Sequence, residues 1–429
     1  MDPAIITLCV LAVAAFLFIT ELIPLAVTAM AACTALGILG VLPSKQVYAG
    51  LSNSTVVLFG GMFVIGAAMF KTGLAEAIGI AVVKKAGTNQ VPLMAAIMLV
   101  TIVLSSVSSN TGTVACLMPV IIGICQAAKI SPSKELMPLA IAANVGGTIT
   151  MIGTPPNVIV TGALSAAGLP TFGFFEFAYI GIPLSIIIVL YTLFIGRHFV
   201  PDKQAGAMDE EAVKAAAEEA GASGDGAPKS KTKMWISGII LLGVVACMAL
   251  GLKNLPLHTA AVTGAILCVV TGCLKEKEAY AGIDWVTIFL FAGMLPLAKA
   301  MDTSGAGKLI AHSVLDLIGT HPAPMLIVVS MFLLSCGLTQ FMSNTASSAL
   351  LAPIGISIAQ SIGVSPHPVL MAIGIAASCA FTTPVATPPN TLVLGPGKFR
   401  FMDYVKIGVP LAVLSLIVCA VIIPVVWPF

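Results

Sequence analysis

The sequence predicts an all-α polytopic membrane protein made of two inverted-topology repeats, each with five transmembrane helices and one re-entrant hairpin. Three observations carry that prediction. The 429 residues are 58% hydrophobic and only 9% charged, with a mean hydropathy of +1.07. A soluble chain carries about 25% charged residues, so this composition belongs to a membrane class. Apolar runs of roughly the 20 residues needed to cross a bilayer recur from end to end. The two halves also match each other at a nearly constant offset.

The elements follow in chain order. The first 24 residues lack the basic n-region and small-residue cleavage site of a secretory signal, and read instead as a first span. Apolar runs set against breakers place full spans at 3–20, 22–42, 54–71, 135–165, 174–197, 234–252, 255–274, 284–301, 366–397 and 405–428. Two further apolar stretches, 91–128 and 323–363, are interrupted near their middles by Ser-Asn-Thr. Each is long enough to enter the membrane, turn and leave on the same side. Polar turns at membrane depth persist only where protein or a water-filled cavity satisfies them, so function is sought at these two hairpins.

The duplication is the strongest internal signal. IPLAVTAM from Ile23 aligns with LPLHTAAV from Leu255, and VYAGL from Val47 with AYAGI from Ala279. From Ser109 and Ser343 onward, 11 of 24 aligned positions are identical. TPPN then follows in both halves, at Thr154–Asn157 and Thr387–Asn390, and the offset stays between 232 and 234. The division is residues 1–201 for the first repeat, 202–233 for a linker and 234–429 for the second repeat.

Five spans per repeat is an odd number, so the second repeat lies upside down relative to the first. With the N-terminus outside, 16 of the 20 Lys and Arg residues face the cytoplasm, and only Lys45, Lys253, Lys299 and Lys308 face out. The first hairpin then enters from the cytoplasm and the second from outside. The charged segment 202–233, with helical character around 208–220, reads as a solvated cytoplasmic linker. Amphipathic stretches at Gly73–Gly87 and Gly305–Gly319 read as interfacial helices before each hairpin. The expected location is a bacterial cytoplasmic (inner) membrane.

The chemistry lies in the two repeated motifs. Ser109-Asn110-Thr111 and Ser343-Asn344-Thr345 each offer two hydroxyls and an amide at a turn. These groups can donate to a carboxylate or sulfate oxygen, and their oxygens can accept a cation such as sodium. The paired prolines of each TPPN remove helical donors and break the spans, freeing carbonyls at membrane depth. No Arg, Lys, Asp or Glu stands near these motifs, so helix N-termini and co-bound cations must balance any anion. A proton-coupled site would call for an intramembrane acid or histidine. Glu21, the only acidic candidate near a span end, lies far in sequence from either hairpin and reads as a structural partner at the start of the second span. Sodium coupling is therefore preferred. The ten cysteines sit mostly within apolar runs, as at Cys9, Cys33, Cys247, Cys268 and Cys419, without metal-ligand spacing, and the five histidines form no HExxH.

At FITELIPLAVTA, the SNT and GTPPN elements and TPPNTLVLGPGKFRFMDYVKIGVPL, the sequence resembles the divalent anion/sodium symporter family of dicarboxylate, citrate and sulfate transporters. The resemblance covers nearly the whole chain. It implies one sodium site at Ser105, Ser109, Asn110 and the Gly153 backbone, and another at Thr339, Met342, Asn344 and the Ala386 backbone. The anion lies between the hairpin tips, contacted by Asn110, Thr111, Asn344, Thr345, Thr387 and Pro388. It further implies a homodimer in which hairpins and broken helices move against a scaffold, an elevator-type transporter. Sodium-coupled symport of a C4-dicarboxylate such as succinate, malate or fumarate is the leading reading. A sodium-independent dicarboxylate or citrate exchanger and a sulfate carrier are the alternatives. No catalytic or cofactor cluster supports an enzyme, and opposed hairpins in inverted repeats favour alternating access over a channel.

Overall fold

The computed structural model describes residues 2–87, 89–128, 130–202, 230–252, 254–310, 313 and 323–429. The expected linker helix at 208–220, along with Lys129, Lys203, Lys214, Lys229 and Lys253, lies outside the described residues. Among those described, every regular element is helical.

The first half opens with α1 (Pro3–Thr20), α2 (Leu25–Ile38) and α3 (Ser54–Lys71). An amphipathic α4 (Leu74–Ala86) leads to the hairpin helices α5 (Gln90–Val107) and α6 (Asn110–Ala128). The span expected at 135–165 is broken into α7 (Ser133–Gly146) and α8 (Pro155–Ala166), and α9 (Ala178–Tyr191) continues through a π turn to Phe199.

The second half repeats the order with α10 (Lys231–Leu250), α11 (Leu257–Val270) and α12 (Trp285–Ser304). Its hairpin is α13 (Pro324–Leu338) and α14 (Asn344–Ser361), and its broken span is α15 (Pro366–Ser378) and α16 (Pro388–Leu394). It closes on α17 (Phe401–Val426). Eight of these helices are long and apolar enough to cross a bilayer.

Two spans are shorter than the sequence suggests. Runs 22–42 and 255–274 yield helices of only 14 residues, because Pro24 and Pro256 stand in extended conformation ahead of each and the left-handed Gly40 and Gly272 lie just past their ends. At 1.5 Å per residue such a helix covers about 21 Å, short of the roughly 30 Å hydrocarbon core. The interfacial helix expected over Gly73–Gly87 is present as α4. In its counterpart 306–310 are helical, while 311–312 and 314–319 lie outside the described residues. Both stretches start on a glycine in the left-handed region, Gly73 at φ +81° and Gly305 at φ +80°. A side chain there would strain the turn that swings the chain from span to surface.

Two bodies emerge from the packing. The hairpins and broken helices form one, with α9 lying along α17 beside them. Its centre is α7 and α15, buried throughout except for Lys134 and His367 at their first turns. Lys134 Nζ donates to the carbonyls of Arg197 (3.1 Å) and Val200 (2.6 Å), closing the end of the α9 extension. The halves interlock here, since α8 packs on α14 of the other hairpin and α16 on α6.

The second body is made of α1–α3 and α10–α12. Its main pairings also cross between halves, α2 on α12 and α11 on α3. At the crossings a Cβ on Gly61 would lie 2.8 Å from the Ala261 carbonyl carbon, and one on Gly293 would lie 2.6 Å from that of Ala29. Gly61 and Gly293, like Ala29 and Ala261, are 232 positions apart, so one small-residue contact is built twice. Gly61→Leu and Gly293→Leu are each expected to cost about 1–3 kcal/mol through overpacking. Their thermal unfolding in detergent should show it, against Gly243→Leu, where nothing lies within 4 Å of the added carbon.

At the end of α3, Lys71 pairs with Glu278 of the short helix Glu276–Ala281 at 3.4 Å. The Lys275 backbone N–H, with Lys71 adding to it, holds the Glu278 carboxyl below its usual range.

Candidate functional site

Both hairpins turn at Ser-Asn-Thr, whose residues favour turns and helix starts over helix interiors. Ser108 is extended, and α6 restarts at Asn110 with the Ser109 carbonyl accepting from Thr113 N (3.0 Å) and Thr113 Oγ1 (2.9 Å). In the second half Ser343 is the N-cap and α14 starts at Asn344. Each turn abuts the break of its own half's divided span.

At the first tip, Ser105 Oγ lies 2.6 Å from Asn110 Oδ1 and 2.8 Å from the Ala143 carbonyl. The same amide oxygen lies 3.0 Å from the Gly153 carbonyl and 3.3 Å from that of Ala143. Four oxygens therefore face one another, with the Ser105 hydroxyl supplying one proton and the Gly147 N–H reaching the Ala143 carbonyl at 3.2 Å. The second tip repeats this. Thr339 Oγ1 lies 2.6 Å from Asn344 Oδ1 and 2.9 Å from the Ala377 carbonyl. Sequence separations of 5 and 38 residues recur in both tips. Ser105 and Thr339 are both fully buried. Clusters of hydroxyl, amide and carbonyl oxygens suit a hard cation, which takes oxygen ligands of this kind. Turning the Asn110 amide over offers the alternative closure, with its nitrogen donating to Ser105 Oγ and the Gly153 carbonyl.

The asparagines of TPPN are braces. Asn157 Nδ2 donates to the carbonyls of Gly147 (3.2 Å) and Thr150 (2.8 Å), ten and seven residues back. Asn390 Nδ2 donates to Ala380 and Thr383, both at 2.9 Å and at the same separations. Each loop is then tied to its hairpin, by Thr150 Oγ1 to the Ser106 carbonyl and by Thr383 Oγ1 to that of Gln340 (2.9 Å). Gln340 adds a bond without counterpart in the first half, its Oε1 accepting from Thr382 N at 3.1 Å.

The structure thus brings together Ser105, Asn110 and Gly153 at one tip, and Thr339 and Asn344 at the other. Ser109 is turned to the helix start, with its Oγ accepting from Gly112 N at 3.4 Å. Met342 and Ala386 are buried, Met342 in the second turn and Ala386 just before the N-cap Thr387 of α16. Thr111 and Thr345 are half-buried one residue into α6 and α14, and Pro388 is exposed. The Thr387 hydroxyl is buried and accepts from Asn144 Nδ2 at 3.2 Å. Three helices of twelve or more residues, α6, α14 and α8, start around these turns and direct partial positive charge there.

Sequence reasoning missed the Ala143 and Ala377 carbonyls, which carry no side-chain signal. It also missed Glu135, an acid within the first broken span. That carboxyl is fully buried in the first turn of α7, with neither oxygen partnered. Glu21 is exposed, not a partner within the protein core. It caps α1 in the left-handed conformation at φ +50°, its N–H bonded to the Leu17 carbonyl. Among the described residues no group of His, Cys, Asp and Glu is placed to hold a metal ion.

Known proteins agree with this architecture. The sequence profile of the citrate transporter family matches residues 15–363 and 314–429. An uncharacterized transporter of Haemophilus influenzae is 32% identical, with 96% of this chain and 90% of the relative covered. The sodium-dependent dicarboxylate transporter SdcS of Staphylococcus aureus is 27% identical, over 96% of this chain and 84% of its own length. In fold, the chain resembles the YdaH transporter of Alcanivorax borkumensis, with a TM-score of 0.63 and 14% identity over 99% of this chain and 98% of that one. The resemblance to divalent anion/sodium symporters drawn from the motifs is borne out by these relatives. The chain belongs to the citrate transporter family, and is an integral, multi-pass membrane transporter and not an enzyme.

Proposed function

We propose that this transporter carries a C4-dicarboxylate such as succinate, malate or fumarate together with sodium, by moving its hairpins and broken helices against the α1–α3 and α10–α12 scaffold. The carrying observation is the pair of matched oxygen clusters, Ser105–Asn110–Ala143 and Thr339–Asn344–Ala377, each placing an amide oxygen and a main-chain carbonyl within 2.9 Å of one hydroxyl. Sodium at each cluster is held by these oxygens and places positive charge beside the hairpin tips. Asn110, Thr111, Asn344, Thr345, Thr387 and Pro388 then line the anion's place, with helix N-termini completing the balance. A homodimer joined through the scaffold gives the moving body a fixed frame. The name of the SdcS relative supports both sodium and dicarboxylate.

A second reading has its own observation. With the Asn110 amide turned over, the first tip closes on hydrogen bonds alone. That geometry favours a sodium-independent exchanger of dicarboxylate or citrate. Uptake of labelled succinate, citrate and sulfate into proteoliposomes decides between them. Succinate accumulation driven by an inward sodium gradient is expected. Uptake that needs internal anion and ignores sodium would establish the exchanger, and preference for sulfate would replace the substrate.

A further inference from the structure

Asn144 is the one side chain by which α7 reaches the second TPPN motif through hydrogen bonds. It stands next to Ala143, whose carbonyl belongs to the first oxygen cluster. Its Nδ2 donates to Thr387 Oγ1 at 3.2 Å and to Asn390 Oδ1 at 3.0 Å, across 243 and 246 residues of sequence. The amide orientations are fixed by their neighbours. Asn390 spends both Nδ2 protons on the Ala380 and Thr383 carbonyls, so its oxygen must face Asn144, and Asn144 must present nitrogen. From Thr383 the network passes through its Oγ1 to the Gln340 carbonyl, one residue from Thr339 of the second cluster.

Among the described residues there is no reciprocal link. The counterpart of Asn144 in the second half is Ser378, whose hydroxyl turns back to the Gly374 carbonyl of its own helix at 3.2 Å. Asn157 Oδ1, the atom equivalent to the one Asn144 reaches, is left buried without a partner. The duplication is therefore broken at the position that joins the two motifs. An Asn with its own Oδ1 buried and unpartnered is an expensive choice for mere packing, since such an acceptor costs about 1–3 kcal/mol.

We propose that Asn144 is the positioning residue that couples cation binding at the first tip to anion binding at Thr387. This rests on the sodium-coupled reading above. A cation drawing on the Ala143 carbonyl fixes that end of α7, and the adjoining side chain then holds Thr387 and the start of α16 in place. Without the amide, cation and anion sites still form, but each binds without reporting on the other.

The test is calorimetry of succinate binding to the full-length protein in nanodiscs, across sodium concentrations with choline as replacement. The wild type should bind succinate about 5–150-fold more tightly in saturating sodium. Asn144→Ser, which installs the residue of the other half, should reduce that factor to within about twofold. Sodium alone should still raise its melting temperature, a readout that loss of the fold or of the first cluster would remove. In a Thr387→Ala background, Asn144→Ala should change the sodium effect no further, because the proposed coupling runs through the Asn144–Thr387 bond and not through the bond to Asn390. A wild-type sodium factor in Asn144→Ser, or independent addition of the Asn144→Ala and Thr387→Ala effects, would overturn the proposal. Equal wild-type affinity in sodium and choline would overturn the sodium reading itself, and is seen without any variant.

Discussion

Asn110→Ala and Asn344→Ala are each expected to abolish measurable uptake while leaving a folded, membrane-inserted protein. Each asparagine is the first residue of its helix and half-buried, so truncation opens no large core cavity. What it removes is the amide oxygen 2.6 Å from Ser105 Oγ or Thr339 Oγ1. An interaction with a charged group contributes about 1.5–3 kcal/mol, or roughly 10–150-fold in binding at 1.4 kcal/mol per tenfold. The same side chain serves both cation and anion in the proposed site, so the two losses combine in the transport rate. Initial uptake rates in proteoliposomes, beside size-exclusion profiles and melting temperatures, check the expectation. Rates near wild type in either variant would remove that tip from the transport site.

Gly147→Ala should be nearly as severe, for a steric reason. Gly147 has φ −59° and ψ −22°, a conformation any residue adopts, so no backbone strain enters. A Cβ there would lie 2.8 Å from Asn110 Oδ1, 2.9 Å from its Nδ2 and 3.0 Å from the Gly153 carbonyl. The methyl group would push apart the oxygens of the first cluster. A fall in uptake of at least about tenfold is expected, because sub-ångström misplacement of ligands is costly. Loss of sodium-induced thermal stabilisation should accompany it. Gly123→Ala on α6, whose Cβ meets nothing within 4 Å, is the control and should transport normally.

The hairpins and breaks were legible because polar triplets and paired prolines interrupt long apolar runs, and because each interruption occurs twice. Asn110, Asn344, Ser105 and Thr339 could be named from that pattern together with the family resemblance. Four other features left no such trace. The Ala143 and Ala377 ligands are carbonyls, which every residue possesses, and only the fold aims them. The Asn144–Thr387 bond joins positions 243 apart in different halves, where the repeat itself gives no warning because Ser378 replaces the amide. Glu135 follows Lys134 at a span boundary and so reads like its half-buried neighbour, although the first turn of α7 carries it fully inward. The shortened α2 and α11 were hidden by apolar residues that look helical but precede the proline or lie past the helix end near a left-handed glycine, Gly40 or Gly272.

The crossed contacts in the scaffold bear on how the chain is made. Gly61 meets Ala261, a residue synthesised 200 positions later, and Ala29 waits still longer for Gly293. At about 5–20 residues per second, the wait for Ala261 is on the order of 10–40 s of translation. During that interval the small-residue faces of α2 and α3 have no native partner and must be kept from wrong helices by lipid or by the insertion machinery. Chains that end before α11 should consequently be recognised as unfinished and degraded, so the half-length product of a nonsense codon would leave no stable remnant in the membrane.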